Sequence, residues 1–211
     1  MSQVSDQRQP RTARGLATQA RLLEGAERLF GQRGFHATSV NDITREAGVA
    51  QGTFYLYFDS KEAIFRALVL NLSHELRLAL HRATEPAGDR LSIEEAGVRA
   101  FLEFVSAHHD LYRIVFESQF IDPGLMRRYY ERMAEGYTRG LEASMARGEV
   151  RAGDAETMAY CLMGASHFLG MRWVVWEGRE PPPAVMETVL AFIRAALLPG
   201  EARRPARKRR S

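Results

Sequence analysis

A single cysteine, Cys161, stands in the 211 residues. An internal disulfide framework is therefore excluded, and the composition suits a reducing cytosol. No uninterrupted apolar stretch is long enough to span a bilayer, and the N-terminus lacks the apolar core of a signal peptide, so the expected location is cytoplasmic with no membrane partner. Strong charge is also missing from most of the chain. The formal total is +3 and the isoelectric point about 9.2, yet Arg203, Arg204, Arg207, Lys208, Arg209 and Arg210 crowd into the last residues against Glu201 alone. Removing those six cations and one carboxylate leaves residues 1–200 at about −2. A broadly basic nucleic-acid binder is excluded, so any DNA affinity must come from a local patch and the chain ends.

The signatures of catalysis are absent as well. There is no phosphate loop, no nucleophile elbow and no pair of carboxylates that stands out from the background. His108-His109-Asp110 places adjacent histidines on different sides of a helix, and no second pair offers zinc-like spacing. Cys161 and His167 are six residues apart, which is not contact distance on one helical face. The expectation is a protein that is not an enzyme and uses no cofactor or metal. With 45% hydrophobic and 26% charged residues, the chain is ordinary for a globular protein, and its length suits a small domain joined to a larger one.

One stretch organises the rest: Thr38 to Glu62. Thr38 or Ser39 can cap a helix whose apolar positions, Val40, Ile43 and Ala47, recur at helical spacing, and Gly48 tolerates the left-handed turn that ends it. A second helix opens near Ala50 or Gln51 and buries Phe54 and Phe58 at i and i+4. That leaves Gln51, Gly52, Thr53, Tyr55 and Tyr57 facing outward or at the helix tip, where small and hydrogen-bonding residues suit entry into a major groove. Ser60 caps the helix that follows. The result is a helix-turn-helix.

The run from Leu22 to about Val69, and above all Gly48-Val49-Ala50-Gln51-Gly52-Thr53-Phe54-Tyr55-Leu56-Tyr57-Phe58-Asp59-Ser60-Lys61-Glu62, resembles the DNA-binding domain of the TetR family of bacterial transcriptional regulators. The resemblance implies that Thr38 and Ser39 touch backbone phosphate, that Gln51, Gly52, Thr53 and Tyr55 face bases or nearby phosphates, and that Tyr57 and Lys61 hold phosphates. Two positions depart from the family. Thr44 stands where alanine is more usual, and Ala50 stands where a serine or threonine often supplies a capping or phosphate hydrogen bond.

Taken in order, residues 1–14 are polar with Arg8, Arg11 and Arg14 and are expected to form a flexible arm. Residues 15–62 are expected to be the DNA-binding domain, beginning with a helix that buries Leu22, Ala26, Leu29 and Phe30 and stops at Gly34. Residues 63–199 are expected to be an all-α domain for effector binding and dimerisation, and 200–211 a basic disordered tail. Within that domain Ser92-Ile93-Glu94-Glu95 forms a capping-box pattern, Asp122-Pro123 restarts a helix, and Asp154 caps the helix through Met171. That helix is apolar on nearly every face and must be covered on several sides. With Gly164, Ala165 and Gly170 allowing close approach, the last two helices either complete the core or pair with their symmetry mates. The resemblance favours a homodimer through these helices, presenting two reading heads to a pseudo-palindromic operator in double-stranded DNA on the nucleoid.

The larger domain has aromatic walls with a few polar groups, as a small-molecule site requires and as any helical core also requires. The candidate effector residues are Phe104, His108, Tyr112, Arg113, Phe116, Tyr130, Tyr137, His167, Phe168, Arg172 and Trp176. Arg172 carries the sharpest expectation, because a guanidinium buried between Met171 and Trp173 demands an anionic partner. If Glu117 or another carboxylate does not serve, the partner is an acidic ligand such as a fatty acid or acyl-CoA; an arginine reaching solvent from a helix end is the alternative. The whole is expected to be a ligand-responsive regulator, a repressor released from its operator by a small hydrophobic effector.

Overall fold

A computed structural model describes residues 12–199, and over that span the chain is helical, without strands. The expectations for a tail over 200–211 and for most of the N-terminal arm lie outside the described residues. The arm's last residues already belong to the first helix. Thr12 is its N-cap, its hydroxyl accepting from Gly15 N–H at 3.1 Å, and α1 runs Ala13–Arg33. It ends at Gly34, whose φ of 81° needs a residue without a β-carbon.

The helices that follow are α2 (Val40–Glu46), α3 (Gln51–Phe54), α4 (Lys61–Thr84), α5 (Arg90–Ala107), α6 (Leu111–Ile121), α7 (Leu125–Ala146), α8 (Ala155–Gly170) and α9 (Pro183–Leu197). A π-helical segment, Met171–Trp176, prolongs α8. Three starts are set by expected caps, Ser39, Ser60 and Asp154. Asp154 accepts from Thr157 N–H at 2.7 Å, and Ser60 accepts from Ala63 N–H at 3.2 Å.

Two starts differ from expectation. Asp89, not Ser92, caps α5: its carboxylate accepts from the N–H groups of Leu91 and Ser92, and the Ser92 hydroxyl also donates to it. With the helix begun one turn earlier, the N–H groups that Ser92 would have capped are already bonded within the helix. Farther on, α7 begins at Leu125 rather than at Pro123, because Asp122 first closes a turn onto Gly124 N–H.

The chain divides into two compact units. One comprises the chain up to Ala79 together with Glu103–Met133, and the other Leu80–Leu102 together with the chain from Ala134. The first packs Leu22, Ala26 and Phe30 of α1 against Ile43, Phe54, Phe58, Ile64 and Phe65, all essentially inaccessible. Phe65 meets the ring edges of Phe30 and Phe35, each at 5.2 Å between centroids, worth roughly 0.5–1.5 kcal/mol per pair beyond buried area. The second unit buries Leu141, Ala159, Leu162, Val174, Met186, Ile193 and Leu197. It also buries an ion pair, Arg90 with Glu94, and Glu94 accepts a second hydrogen bond from the half-buried Tyr137 hydroxyl.

Candidate nucleic-acid interface

Local chemistry sets the geometry of α2 and α3. Ser39 caps α2 reciprocally. Its hydroxyl accepts from Asp42 N–H at 3.1 Å, and the Asp42 carboxylate accepts from Ser39 N–H at 3.0 Å. The Ser39 hydroxyl also donates to Asp42 Oδ2 at 2.6 Å, and that bond, with the one from Ser39 N–H, holds the Asp42 carboxyl below its ordinary range. Gly48, at φ 64°, then reverses the chain, and Val49 N–H closes the turn onto Thr44 carbonyl at 2.9 Å. At the head of α3, Ala50 has N-cap backbone geometry and no side-chain capping bond.

The short α3 and the turn after it separate two faces. Phe54 and Phe58 lie inside at 0% and 2% exposure, while Gln51, Gly52 and Tyr55 are exposed and Thr53 and Tyr57 half-buried. Thus Gln51, Gly52 and Tyr55 are open to solvent and Thr53 is partly covered, while two buried rings anchor this segment to the core. Ser39 is also exposed, at the head of α2.

Thr38 and Lys61 sit differently from expectation. The Thr38 side chain is buried, and its hydroxyl donates to Gly34 carbonyl at 2.9 Å and Leu29 carbonyl at 3.3 Å, so it is spent inside the head rather than offered to a phosphate. Lys61 Nζ donates to the carbonyls of Phe35 and Thr38, both at 2.8 Å, and lies 4.3 Å from the Phe35 ring centroid. Its charge is half-buried over the turn between α1 and α2.

The candidate effector residues divide between the two units. In the first, Phe104 stacks on the His108 ring at 4.2 Å, and His108 Nδ1 lies 2.7 Å from Glu27 Oε1. That hydrogen bond raises the His108 pKa above its ordinary value. Tyr112 is buried, Tyr130 half-buried with its hydroxyl pushed up to about 12 by burial, and Phe116 partly exposed. Arg113 reaches back to α1, donating to the carbonyls of Gly31 at 3.0 Å and Gln32 at 3.1 Å. In the second unit the half-buried Tyr137 donates to Glu94, and burial lowers the pKa of the half-buried His167.

Phe168, Arg172 and Trp176 are exposed. Arg172 is a correction. Its side chain is 60% exposed, 3.9 Å from Glu177 and over the Trp173 ring, so no buried guanidinium calls for an acidic ligand. Among the described residues no cluster of three or more histidine, cysteine, aspartate or glutamate side chains is arranged to hold a metal ion, and no helix is long and apolar enough to cross a membrane.

Three positions of this site escaped the sequence reading. Asp42 had a local signal, the Ser39-x-x-Asp42 spacing. Arg113 as an α1 partner and Glu117, which accepts from Phe35 N–H at 2.9 Å, had none, since their partners lie some eighty residues away in sequence.

The chain is similar to known proteins. A family described as bacterial regulatory proteins, tetR family, matches residues 22–68. The uncharacterized HTH-type transcriptional regulator YdgC of Bacillus subtilis (strain 168) is 31% identical over 196 residues, covering 89% of this chain and 97% of the relative. Among solved structures, Salmonella enterica GusR is similar with a TM-score of 0.75 at 22% identity, over 86% of this chain and 96% of that one. The fatty acid degradation regulator FadR from Bacillus halodurans is similar with a TM-score of 0.74 at 18% identity, over 93% and 100%.

Proposed function

The chain belongs to the TetR family of bacterial transcriptional regulators, DNA-binding proteins rather than enzymes, and from that premise we propose that it is a repressor. In this reading a homodimer occupies a pseudo-palindromic operator in the cytoplasm and leaves it when a small hydrophobic effector binds. Residues 15–62 are assigned to DNA reading and 63–199 to effector binding and pairing.

One observation carries the DNA assignment. Tyr55, 48% exposed, stands with exposed Gln51 and Gly52 on the face opposite Phe54 and Phe58. A side chain so exposed does little for the fold, whereas one well-made base or phosphate contact contributes about 1–3 kcal/mol to binding. The test begins by selecting duplexes from random DNA with the purified protein. Tyr55→Ala should then weaken binding to the selected duplex by about tenfold while the dimer persists. Unchanged affinity would remove α3 as the reading helix.

Pairing is assigned to α8 and α9. Phe168 (66% exposed), Trp176 (69%) and Phe192 (65%) lie uncovered on this part of a single protomer. Rings of that size left in water cost about 1.5–3 kcal/mol each relative to burial. For the effector, apolar aromatic residues support an acyl chain, and long-chain fatty acids and acyl-CoA are the first probes to titrate into the protein–operator complex. An acidic head group no longer has Arg172 as its reason.

A further inference from the structure

The peptide groups joining α1 to α2 are gripped from outside the helix-turn-helix. α1 ends with orphan carbonyls, as every helix does. Gly34 N–H takes Phe30 carbonyl, and the guanidinium of Arg113 takes the next two, Gly31 and Gln32. A cation at a helix C-terminus is also favoured by the helix dipole. One turn along α6, Glu117 Oε2 accepts from Phe35 N–H at 2.9 Å. The carbonyl of the same residue receives Lys61 Nζ. Phe35 is therefore held by an anion from α6 at its N–H and a cation from α4 at its C=O.

The seat for α6 depends on two missing side chains. A β-carbon on Gly31 would fall 1.9 Å from Asp110 Cγ, and one on Gly34 would fall 2.6 Å from Glu117 Oε1. Asp110, Arg113 and Glu117 recur at i, i+3 and i+7 along one side of α6, and the contact continues at His108 with Glu27, one turn earlier on α1. Ser39, the cap of α2, follows Phe35 by four residues, so the direction in which α2 and α3 leave this turn is set where α6 holds it.

We propose that Arg113 and Glu117 are positioning residues for operator binding: without touching DNA, they fix the orientation of the reading helix by clamping the peptide groups on which α1 turns into α2. The proposal rests on the reading of α3 given above.

The test uses the full-length dimer and the selected duplex, with Tyr55→Ala as reference. Glu117→Leu and Arg113→Met should each weaken binding about fivefold or more at a temperature where circular dichroism shows them fully folded. Glu117→Gln, which keeps an acceptor for Phe35 N–H, should restore most of the affinity. The dependence of log K on log salt should keep its slope in Arg113→Met, because a lysine or arginine that contacts phosphate lowers that slope by roughly one when removed.

Parental affinity in Glu117→Leu and Arg113→Met beside a weakened Tyr55→Ala would overturn the clamp, as would a reduced salt slope in Arg113→Met. Parental affinity in Tyr55→Ala would overturn the reading of α3, and the clamp with it. If Glu117→Leu fails to fold, Arg113→Met decides by the same criteria.

Discussion

His108 joins a titratable ring to a carboxylate on α1, and the pairing makes stability depend on pH with a definite sign. Its hydrogen bond to Glu27 raises its pKa, and the Glu27 and Glu75 charges act in the same direction against partial burial. Asp110, facing the same cluster with His109 and Arg113, is raised by burial. A histidine whose folded pKa lies above its unfolded value of about 6.5 contributes stability fully present below that pH and lost as pH rises through the folded value. Denaturant midpoints should therefore fall between about pH 6 and pH 8, and His108→Gln should flatten that fall. An equal slope in both proteins would dissociate the ring from the pH response.

Single residues were also where the sequence was least legible. Tyr55, Gln51 and Gly52 could be placed outward because two phenylalanines four apart fix which face of α3 is buried. Thr38 and Lys61 sit elsewhere than the resemblance implies, because their acceptors are backbone carbonyls of a turn whose path no local spacing encodes. Arg172 follows the other of its two sequence readings, an arginine reaching solvent. A run apolar on nearly every face implies cover on several sides, yet one protomer leaves Arg172 and part of that surface uncovered.

Helix ends were legible where one good capping residue stood alone, as at Ser60 and Asp154, and ambiguous where two competed, as Asp89 and Ser92 did. The four-residue α3 has the weakest start, since Ala50 provides no acceptor for its first N–H groups. Its extended backbone, φ −69° and ψ 149°, already suits a serine. Ala50→Ser should raise unfolding free energy by about 1 kcal/mol, read from chemical denaturation. No gain would mean that water or the turn from Gly48 already satisfies those donors. The α1–α6 contact had no sequence signal, although its permissive features, Gly31 and Gly34, were in plain view. A glycine shows that something needs room, not what occupies it.

At the scale of the molecule, all-α architecture followed from helical periodicity, whereas the cover proposed for the exposed rings of α8 and α9 comes from a second copy. Phe192→Asp places a charge in the proposed contact between protomers. Sedimentation should show it shifting from dimer to monomer, and operator affinity should fall steeply because each head then binds its half-site alone. A variant that remains dimeric would take α9 out of the interface.

The uncovered rings of Phe168, Trp176 and Phe192 also bear on the protein's first moments. If protomers pair through α8 and α9 as proposed, a chain that has folded but not yet met its twin displays the kind of surface that aggregates and that chaperones grip. Escape from that interval is a second-order event, so its rate grows with the square of the free protomer concentration. The earliest copies made in a cell are the slowest to be sheltered, and a newly induced regulator of this build reaches working strength with a lag longer than synthesis alone sets.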